Sequence, residues 1–330
     1  MDIRDLGALR RKAGERLSRA SYDPRKLVLL HTAVSLGVSL LIVLLDLYLS
    51  RQIDGTGGLA GVQTRTILET IRSVLQFGGS IALPFWEAGM IFAAICLARG
   101  QAVGPDGLLS GFRRVGPLLR LMLAQGVLYL AVAVVCANVG SFLFMLTPQS
   151  QPLLEMMTPM LEDANYQMAM DVATAEAMLA QMVPMLVIFG VLFFVITIPL
   201  MLRLRLSEYL IMDGDSGAIH AMITSWKLMR GKVWAMLKLD LSFWWFYGLL
   251  IVFGVVGYAD LLLPVVGVEL PFSTDGAYVA FFVVQILLQL GLYWWAGSRL
   301  YTTYALAYDA LLEPEPEPVP PVPTKVPWDY

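Results

Sequence analysis

Four strongly polar side chains interrupt long apolar segments of the chain: Glu87, Gln125, Asp240 and Gln289. If such segments cross a bilayer, polar groups within them are costly and commonly bind ions, relay protons or pair with a neighbouring helix. Glu87 follows Pro84 by three residues, and the missing proline N–H frees a nearby backbone carbonyl. Glu87 is therefore interpreted either as a cation or proton site in a helix-lined cavity, or as a buried acid satisfied by basic or backbone groups of a neighbouring helix.

Asp240 has a second interpretation, because it lies two residues after Lys238 near the start of its apolar segment. A lysine in that position extends its aliphatic stem along the apolar region and keeps its ammonium group in the headgroup layer. The two residues thus form either an interfacial pair or part of a polar path through the membrane.

The inventory of reactive side chains predicts that the protein is not an enzyme. The chain has two histidines, His31 and His220, and two cysteines, Cys96 and Cys136, both within apolar segments. The sequence contains no clustered metal ligands, no Cys–His nucleophile and no phosphate-binding Gly-rich motif. We expect no metal, no cofactor and no nucleic-acid partner, and we place His31 at the inner membrane interface.

Composition indicates what kind of protein must position these residues. Of 330 residues, 58% are hydrophobic and only 15% are charged, and the mean hydropathy is +0.68. A soluble globule of this size needs more polar surface than that. The predicted fold class is an all-α, polytopic membrane protein.

Six apolar segments are long enough to cross a hydrocarbon core of ~30 Å, which needs roughly 20 residues of helix. They are residues 27–49, 74–97, 117–146, 183–202, 233–256 and 278–300. The sequence therefore predicts six transmembrane helices, with the last continuing as helix towards Leu312.

The segments outside these spans define the predicted domain organisation. Residues 1–26 form a basic interfacial helix, and residues 27–312 form the six-helix membrane domain. The connection at 147–181 is an acidic, Met-rich external insertion with five acids and no Lys or Arg. Residues 313–330 form a Pro-rich cytoplasmic tail, interpreted as an extended spacer or as a recognition peptide for a partner protein.

The distribution of Lys and Arg predicts the orientation of the chain, because these residues stay on the cytoplasmic side of short loops. The N-terminal segment has eight, the second connection three and the fourth connection five, whereas the third and fifth have none. The first connection, with three, runs against this trend. Both termini are predicted to be cytoplasmic in a bacterial cell membrane.

A basic amphipathic helix is predicted after the fourth span, with Asp215 or Ser216 as its cap. Lys227 and Arg230 lie in its last turn, where they suit the negative end of the helix dipole, and Gly231 is placed to end it. Apolar residues recur at three- and four-residue spacing and predict one stripe, made of Ile219, Met222, Ile223, Trp226 and Met229. We expect this helix to lie at the membrane interface.

Four segments resemble an uncharacterised integral membrane family of Firmicutes, domain of unknown function nine-seven-five. They are SWKLMRGKVWAMLKLDLSFWW from Ser225, RKAGERLSRASYDPRKLVLL from Arg11, ARGQAVGPDGLLSGFRR from Ala98 and YTTYALAYDALL from Tyr301. The resemblance implies a bacterial membrane protein with six helices, and it implies no activity or catalytic residues. The acidic, Met-rich connection looks like an insertion beyond the usual pattern of the family.

Two hypotheses about function follow. In the favoured one, the protein is a non-enzymatic membrane scaffold or accessory component that engages a partner protein or membrane lipid at the cytoplasmic face. In the alternative, it is a small transporter or channel whose path is lined by Glu87, Gln125, Asp240 and Gln289.

Overall fold

The computed structural model of the protein describes residues 3, 5–54, 59–152, 155, 172–214, 216–257 and 275–312. In this part of the chain the regular structure is helical and no strand is present, so the all-α prediction is confirmed. The helices are α1 Leu6–Ser18, α2 Pro24–Asp54, α3 Leu59–Arg99, α4 Ser110–Arg113, α5 Val115–Met145, α6 Val172–Leu204, α7 Ser207–Asp213, α8 Ala218–Leu228, α9 Val233–Leu241, α10 Trp244–Gly257, α11 Asp275–Leu292 and α12 Ser298–Leu312, with a 3-10 helix at Pro105–Leu109 and a π-helical turn at Tyr293–Gly297.

Four helical stretches of the described chain are long and apolar enough to cross a membrane. They are Pro24–Asp46, Thr64–Arg99, Val115–Met145 and Met182–Asp213. A bent pair of shorter helices, α9 and α10, becomes a fifth if it is one span. Most of the predicted insertion at 147–181, and all of the predicted tail at 313–330, lie outside the described residues.

The predicted fifth span, 233–256, is not one straight helix. α9 and α10 meet at an angle of 67° around Phe243. The Ser242 carbonyl accepts a hydrogen bond from the Arg10 guanidinium, while the N–H of Phe246, which would bond this carbonyl in a regular helix, bonds the Phe243 carbonyl instead. The sequence pattern missed this break because both halves are apolar and neither contains proline.

The predicted second span is the C-terminal part of a much longer helix. α3 has 41 residues, which at 1.5 Å per residue is about 60 Å, roughly twice the thickness of a hydrocarbon core. Pro84 lies within this helix without ending it. The N-terminal turns carry an exposed pair, Arg65 and Glu69, at i and i+4.

The chain forms two compact units. The first contains the described residues of Met1–Val115, Glu208–Asp215 and Trp234–Tyr330, and the second contains those of Gly116–Ser207 and Ser216–Val233. The first unit therefore combines the beginning and the end of the chain.

In the first unit, α1 packs against α12 and the end of α3. α1 begins at an Asp5 cap, whose Oδ1 accepts a hydrogen bond from the Ala8 N–H at 2.9 Å. Leu9 and Ala13 are the buried residues of this helix, while its arginines occupy the other faces. The predicted basic helix at 1–26 is thus confined to Leu6–Ser18, and α2 already begins at Pro24.

Small residues let the segment after α3 fold back against that helix. A Cβ atom at Gly89 would overlap the Leu108 carbonyl oxygen, and one at Gly111 would overlap the Phe85 carbonyl oxygen. Leu108 is fully buried in the adjoining core with Met90 and Ala93. Backbone thus touches backbone at two points, and a methyl group fits at neither.

In the second unit, α8 packs against the end of α6 through a side chain that satisfies two backbone groups. The Ser225 hydroxyl donates to the Arg203 carbonyl at 2.7 Å and accepts from the Leu206 N–H at 3.2 Å. The last carbonyls of a helix have no partner within it. Ser225, which is fully buried, supplies one for α6.

We predict that Gly89→Ala and Gly111→Ala each sharply reduce the yield of folded protein in detergent, because the added methyl group displaces backbone. Gly78→Ala, in α3 like Gly89, meets no atom within 4 Å and is expected to be neutral or to stabilise the protein by roughly 0.5–1 kcal/mol. Size-exclusion profiles and thermal midpoints measure this difference. Equal behaviour of the three variants would contradict the packing described above.

Candidate functional site

Three tyrosines of α12 donate hydrogen bonds to acids on three other helices of the first unit. Tyr301, Tyr304 and Tyr308 are spaced i, i+3 and i+7, so they lie on one face of α12. Their acceptors are Glu87 on α3, Asp240 on α9 and Asp213 on α7. We call these residues the tyrosine ladder.

The first step of the ladder surrounds Glu87. Its Oε1 accepts a hydrogen bond from the Tyr301 hydroxyl at 3.0 Å, and its Oε2 lies 3.3 Å from Nε2 of His31 on α2. The Glu87 side chain is nevertheless 46% exposed, although it belongs to a membrane-length stretch. The Glu87 carboxylate is therefore held by Tyr301 and His31, while part of its side chain remains exposed.

His31, predicted at the inner membrane interface, is buried within the protein, with 3% exposure. Its ring stacks on Trp86 with centroids 5.7 Å apart, and the Trp86 indole N–H donates to the His31 carbonyl at 3.0 Å. Its Nδ1 is buried and has no hydrogen-bond partner among the described residues. One helix turn of α2 thus brings an imidazole directly to Glu87, a pairing that the sequence analysis did not anticipate.

The second step connects Asp240 to two tyrosines. The Tyr304 hydroxyl donates to Asp240 Oδ1 at 2.5 Å and lies 2.8 Å from the Tyr247 hydroxyl. Asp240 therefore has a donor on α12, which the predicted pairing with Lys238 did not include. The Lys238 ammonium group lies instead 6.0 Å from the centroid of the Trp234 ring.

The third step is an ion cluster around Arg99, the last residue of α3. One edge of its guanidinium donates two parallel hydrogen bonds to Asp213. A second edge binds Asp309, with Nη2 of Arg99 2.7 Å from Oδ1 of Asp309. Tyr308 donates to Asp213 Oδ2 at 3.0 Å. Arg114 donates to the carbonyls of Ile211 and Gly214 at the end of α7, where a cation suits the helix dipole.

Burial raises the pKa of the Tyr308 phenol above its usual value, and the neighbouring Asp213 carboxylate raises it further. The phenol therefore stays protonated at neutral pH. Tyr308 acts there as a hydrogen-bond donor to the cluster.

The structure brings only some of the four predicted polar residues into the same unit. Glu87 and Asp240 both bond to α12, and Gln289 belongs to the same unit on α11. Gln125 belongs to α5 of the second unit. One turn before Gln289, the amide oxygen of Gln285 is buried and lacks a hydrogen-bond partner among the described residues.

A second candidate site is the outward face of α8. Ile219, Ile223 and Trp226 are 60%, 50% and 42% exposed and lie within about 60° of one another around the helix axis, at 100° per residue. The opposite face buries Ala218, Ala221 and Ser225. The Arg203 guanidinium stacks over the Trp226 ring at 4.5 Å from its centroid.

The observed α8 differs from the predicted helix in two details. Gly217 precedes it without a side-chain cap, so Ser216 does not cap it, and Asp215 lies outside the described residues. Met229 is fully buried and does not share the outward face of Ile219, because it follows Ser225 by one turn. Gly231 adopts a positive φ of 75°, which ends the helical path as predicted.

Two charged residues beside the tyrosine ladder were not predicted as site residues. Glu208 on α7 is close enough to Glu87 for their charges to interact, and Arg99 was counted only among the three basic residues of the second connection. The spacing of Tyr301, Tyr304 and Tyr308 was a visible signal, because three hydroxyls on one face of an apolar helix need three acceptors. Among the described residues, no group of three or more His, Cys, Asp or Glu side chains is arranged to hold a metal ion.

Comparison with protein-family models, with curated proteins and with solved structures found no match to this chain.

We predict that Arg99→Gln destabilises the protein by about 2–3 kcal/mol, because it leaves two partly buried carboxylates without their counter-charge. Arg113→Gln removes the same charge from an exposed side chain nearby and is expected to cost less than about 0.5 kcal/mol. Urea or thermal denaturation in detergent compares the two variants. A loss for Arg99→Gln no larger than for Arg113→Gln would show that the cluster contributes nothing to stability.

Proposed function

We propose that the protein is a non-enzymatic, multi-pass component of the bacterial cytoplasmic membrane that engages the anionic lipid surface through α8. The single observation that carries this proposal is the outward face of Ile219, Ile223 and Trp226. In an accessory or scaffold protein, such a helix fixes the membrane-facing loop at the interface. The Pro-rich tail at 313–330 is the proposed contact for a partner protein.

The apolar face of α8 supports this role energetically. Full burial of a Leu-, Ile- or Phe-sized side chain contributes about 1.5–3 kcal/mol. Covering three half-exposed side chains with acyl chains therefore contributes roughly 3 kcal/mol. A helix of this kind lies in the plane of the interface with its apolar face buried among the lipids.

The basic residues of α8 support its binding to an anionic membrane surface. Lys227 and Arg230 are exposed near its C-terminal end, and each basic residue close to an anionic membrane contributes about 1 kcal/mol. Tryptophan is enriched at the headgroup level, which suits Trp226 with Arg203 stacked upon it.

We further propose six spans with both termini cytoplasmic. Continuous helical structure from Asp275 to Leu312 supports a sixth span at 278–300. The packing of α1 against α12 supports the proposal that both ends of the chain lie on the same side of the membrane. The excess of Lys and Arg in the N-terminal segment supports the cytoplasmic side.

To test the α8 proposal, Cys96→Ala and Cys136→Ala provide a background for single fluorophore labels at Ile223→Cys and, as the matched control, at His220→Cys. Both positions are exposed on α8. In proteoliposomes, brominated acyl chains are expected to quench the label at position 223 at least about threefold more than the label at 220, because only Ile223 belongs to the apolar face. Soluble iodide is expected to show the opposite preference.

Stronger iodide quenching at position 223 than at position 220 would contradict the interfacial placement. Met229 is not a useful position for this experiment, because its side chain is fully buried and its replacement would test folding.

A second function is favoured by the geometry around Glu87, and we propose it as the alternative: a small transporter or channel with this carboxylate in its path. An ionised carboxylate facing lipid is costly. Part of the Glu87 side chain is exposed, and water, a cation or a bound proton beside the carboxylate would remove that cost. The His31 imidazole provides a second proton-binding group at 3.3 Å.

We predict that Glu87→Gln abolishes a proton or cation flux that the wild-type protein shows in proteoliposomes under an imposed membrane potential. Glu69→Gln is the matched control, since it makes the same change on the same helix at an exposed ion pair, and it is expected to retain the flux. A pH-sensitive dye and potassium- or sodium-loaded vesicles report the two classes of ion. Absence of flux from the wild type for every ion tested would remove this alternative.

A further inference from the structure

A basic cleft lies in the first unit between α1 and the adjoining ends of α3 and α12. It has a volume of about 220 Å³ and is lined on one side by Lys12 and Arg16 and on the other by Arg99 and Asp309. Ala98 and Leu306 form an apolar wall. The cleft is thus suited to a small group that is anionic at one end and apolar at the other.

The charges around the cleft are unbalanced. Arg99 is satisfied by Asp213 and Asp309. Within the described part of the chain, Lys12 and Arg16 have no ion-pair partner. Two cations therefore face the cleft with their charge available to a ligand.

The position of Arg16 is set by the way α3 ends. Gly100 has a positive φ of 74°, and its N–H bonds the Leu97 carbonyl while the N–H of Gln101 bonds the Cys96 carbonyl. This is a Schellman motif, which favours glycine. A Cβ atom at position 100 would lie 2.7 Å from Nη1 of Arg16, so the absence of a side chain leaves room for the guanidinium.

The helix that carries the two cations is held firmly. Leu9 and Ala13 are buried. The Arg10 guanidinium bonds the Ser242 carbonyl and stacks over the Phe243 ring at 4.7 Å from its centroid. The cleft is therefore formed without a ligand, which lowers the entropic cost of binding one.

We propose that Lys12 and Arg16 bind a phosphate group in this cleft. The guanidinium fork of arginine matches phosphate oxygens, and lysine adds a point charge. The predicted second span, 74–97, ends just before Arg99, so the proposal puts the cleft at the depth of lipid headgroups. Basic pockets at the ends of membrane helices bind the phosphates of anionic lipids, and free inorganic phosphate offers the same chemistry. The site is separate from α8, which belongs to the second unit.

The experiment compares two double variants of the full chain in detergent. Lys12→Gln with Arg16→Gln removes the two cations of the cleft. Arg11→Gln with Arg19→Gln removes the same charge from the same helix at exposed positions that do not line the cleft. Native mass spectrometry measures binding of phosphatidylglycerol, with zwitterionic phosphatidylcholine as the reference lipid, and calorimetry measures binding of inorganic phosphate.

We expect the cleft variant to bind phosphatidylglycerol about thirtyfold more weakly than the wild type. At high ionic strength, where exposed charges are screened, the control variant is expected to change by less than about threefold. A loss confined to inorganic phosphate would identify the free anion as the source of the phosphate group. Equal losses of binding in the two variants would overturn the proposal. It would also be overturned if the wild type showed no preference for phosphatidylglycerol over phosphatidylcholine and did not bind inorganic phosphate.

The side chains of Lys12 and Arg16 make no hydrogen bond to the described residues, so their replacement is not expected to unfold the protein. An unchanged thermal midpoint verifies this. The quenching experiment on α8 reports on a different helix. The phosphate proposal and the α8 proposal can therefore fail independently of each other.

Discussion

A carboxylate inside a packed helical protein is stable only when a neighbouring helix supplies a donor or a counter-charge. In the first unit, α12 supplies the donors. Its three tyrosines reach Glu87, Asp240 and Asp213, each on a different helix. Since each hydroxyl must meet its acceptor, these bonds fix the rotation of α12 and its register against three helices. The cluster at Arg99 and the cleft beside α1 both depend on that register.

The sequence predicted much of the helical architecture, because apolar length is a strong signal for membrane helices. Four of the six predicted spans coincide with membrane-length stretches of the described chain. The break at Phe243 was not predictable, because the freed Ser242 carbonyl is bonded by Arg10, more than two hundred residues away. The full extent of α3 was missed for a local reason, since the glycines between Gly55 and Gly61 favoured a loop, with at most a short helix beginning at Thr66.

The candidate site was predicted only in part. Glu87 was found because a lone acid in an apolar segment is conspicuous. Its partner His31 was not found, because the linear sequence shows only that this imidazole is near the end of a span and does not show which side chains it contacts. The apolar stripe of α8 was found from its spacing. Its division into an outward face and the buried Met229 depends on how Ser225 attaches the helix to the end of α6, and a helical period alone does not show which side is covered.

The first unit is built from segments near both ends of the chain, and this affects its biosynthesis. The ribosome makes Glu87 and Asp213 long before it makes α12, and the whole of the second unit is produced between Glu87 and α12. Until α12 is made, these acids have His31 and Arg99 as partners but lack the hydroxyl donors of the finished protein. A nascent or prematurely terminated chain therefore has incomplete polar pairing, and incompletely packed chains are substrates of chaperones and proteases. Completion of this protein is consequently a C-terminal event, and truncation before Tyr301 leaves a chain that is suited to degradation.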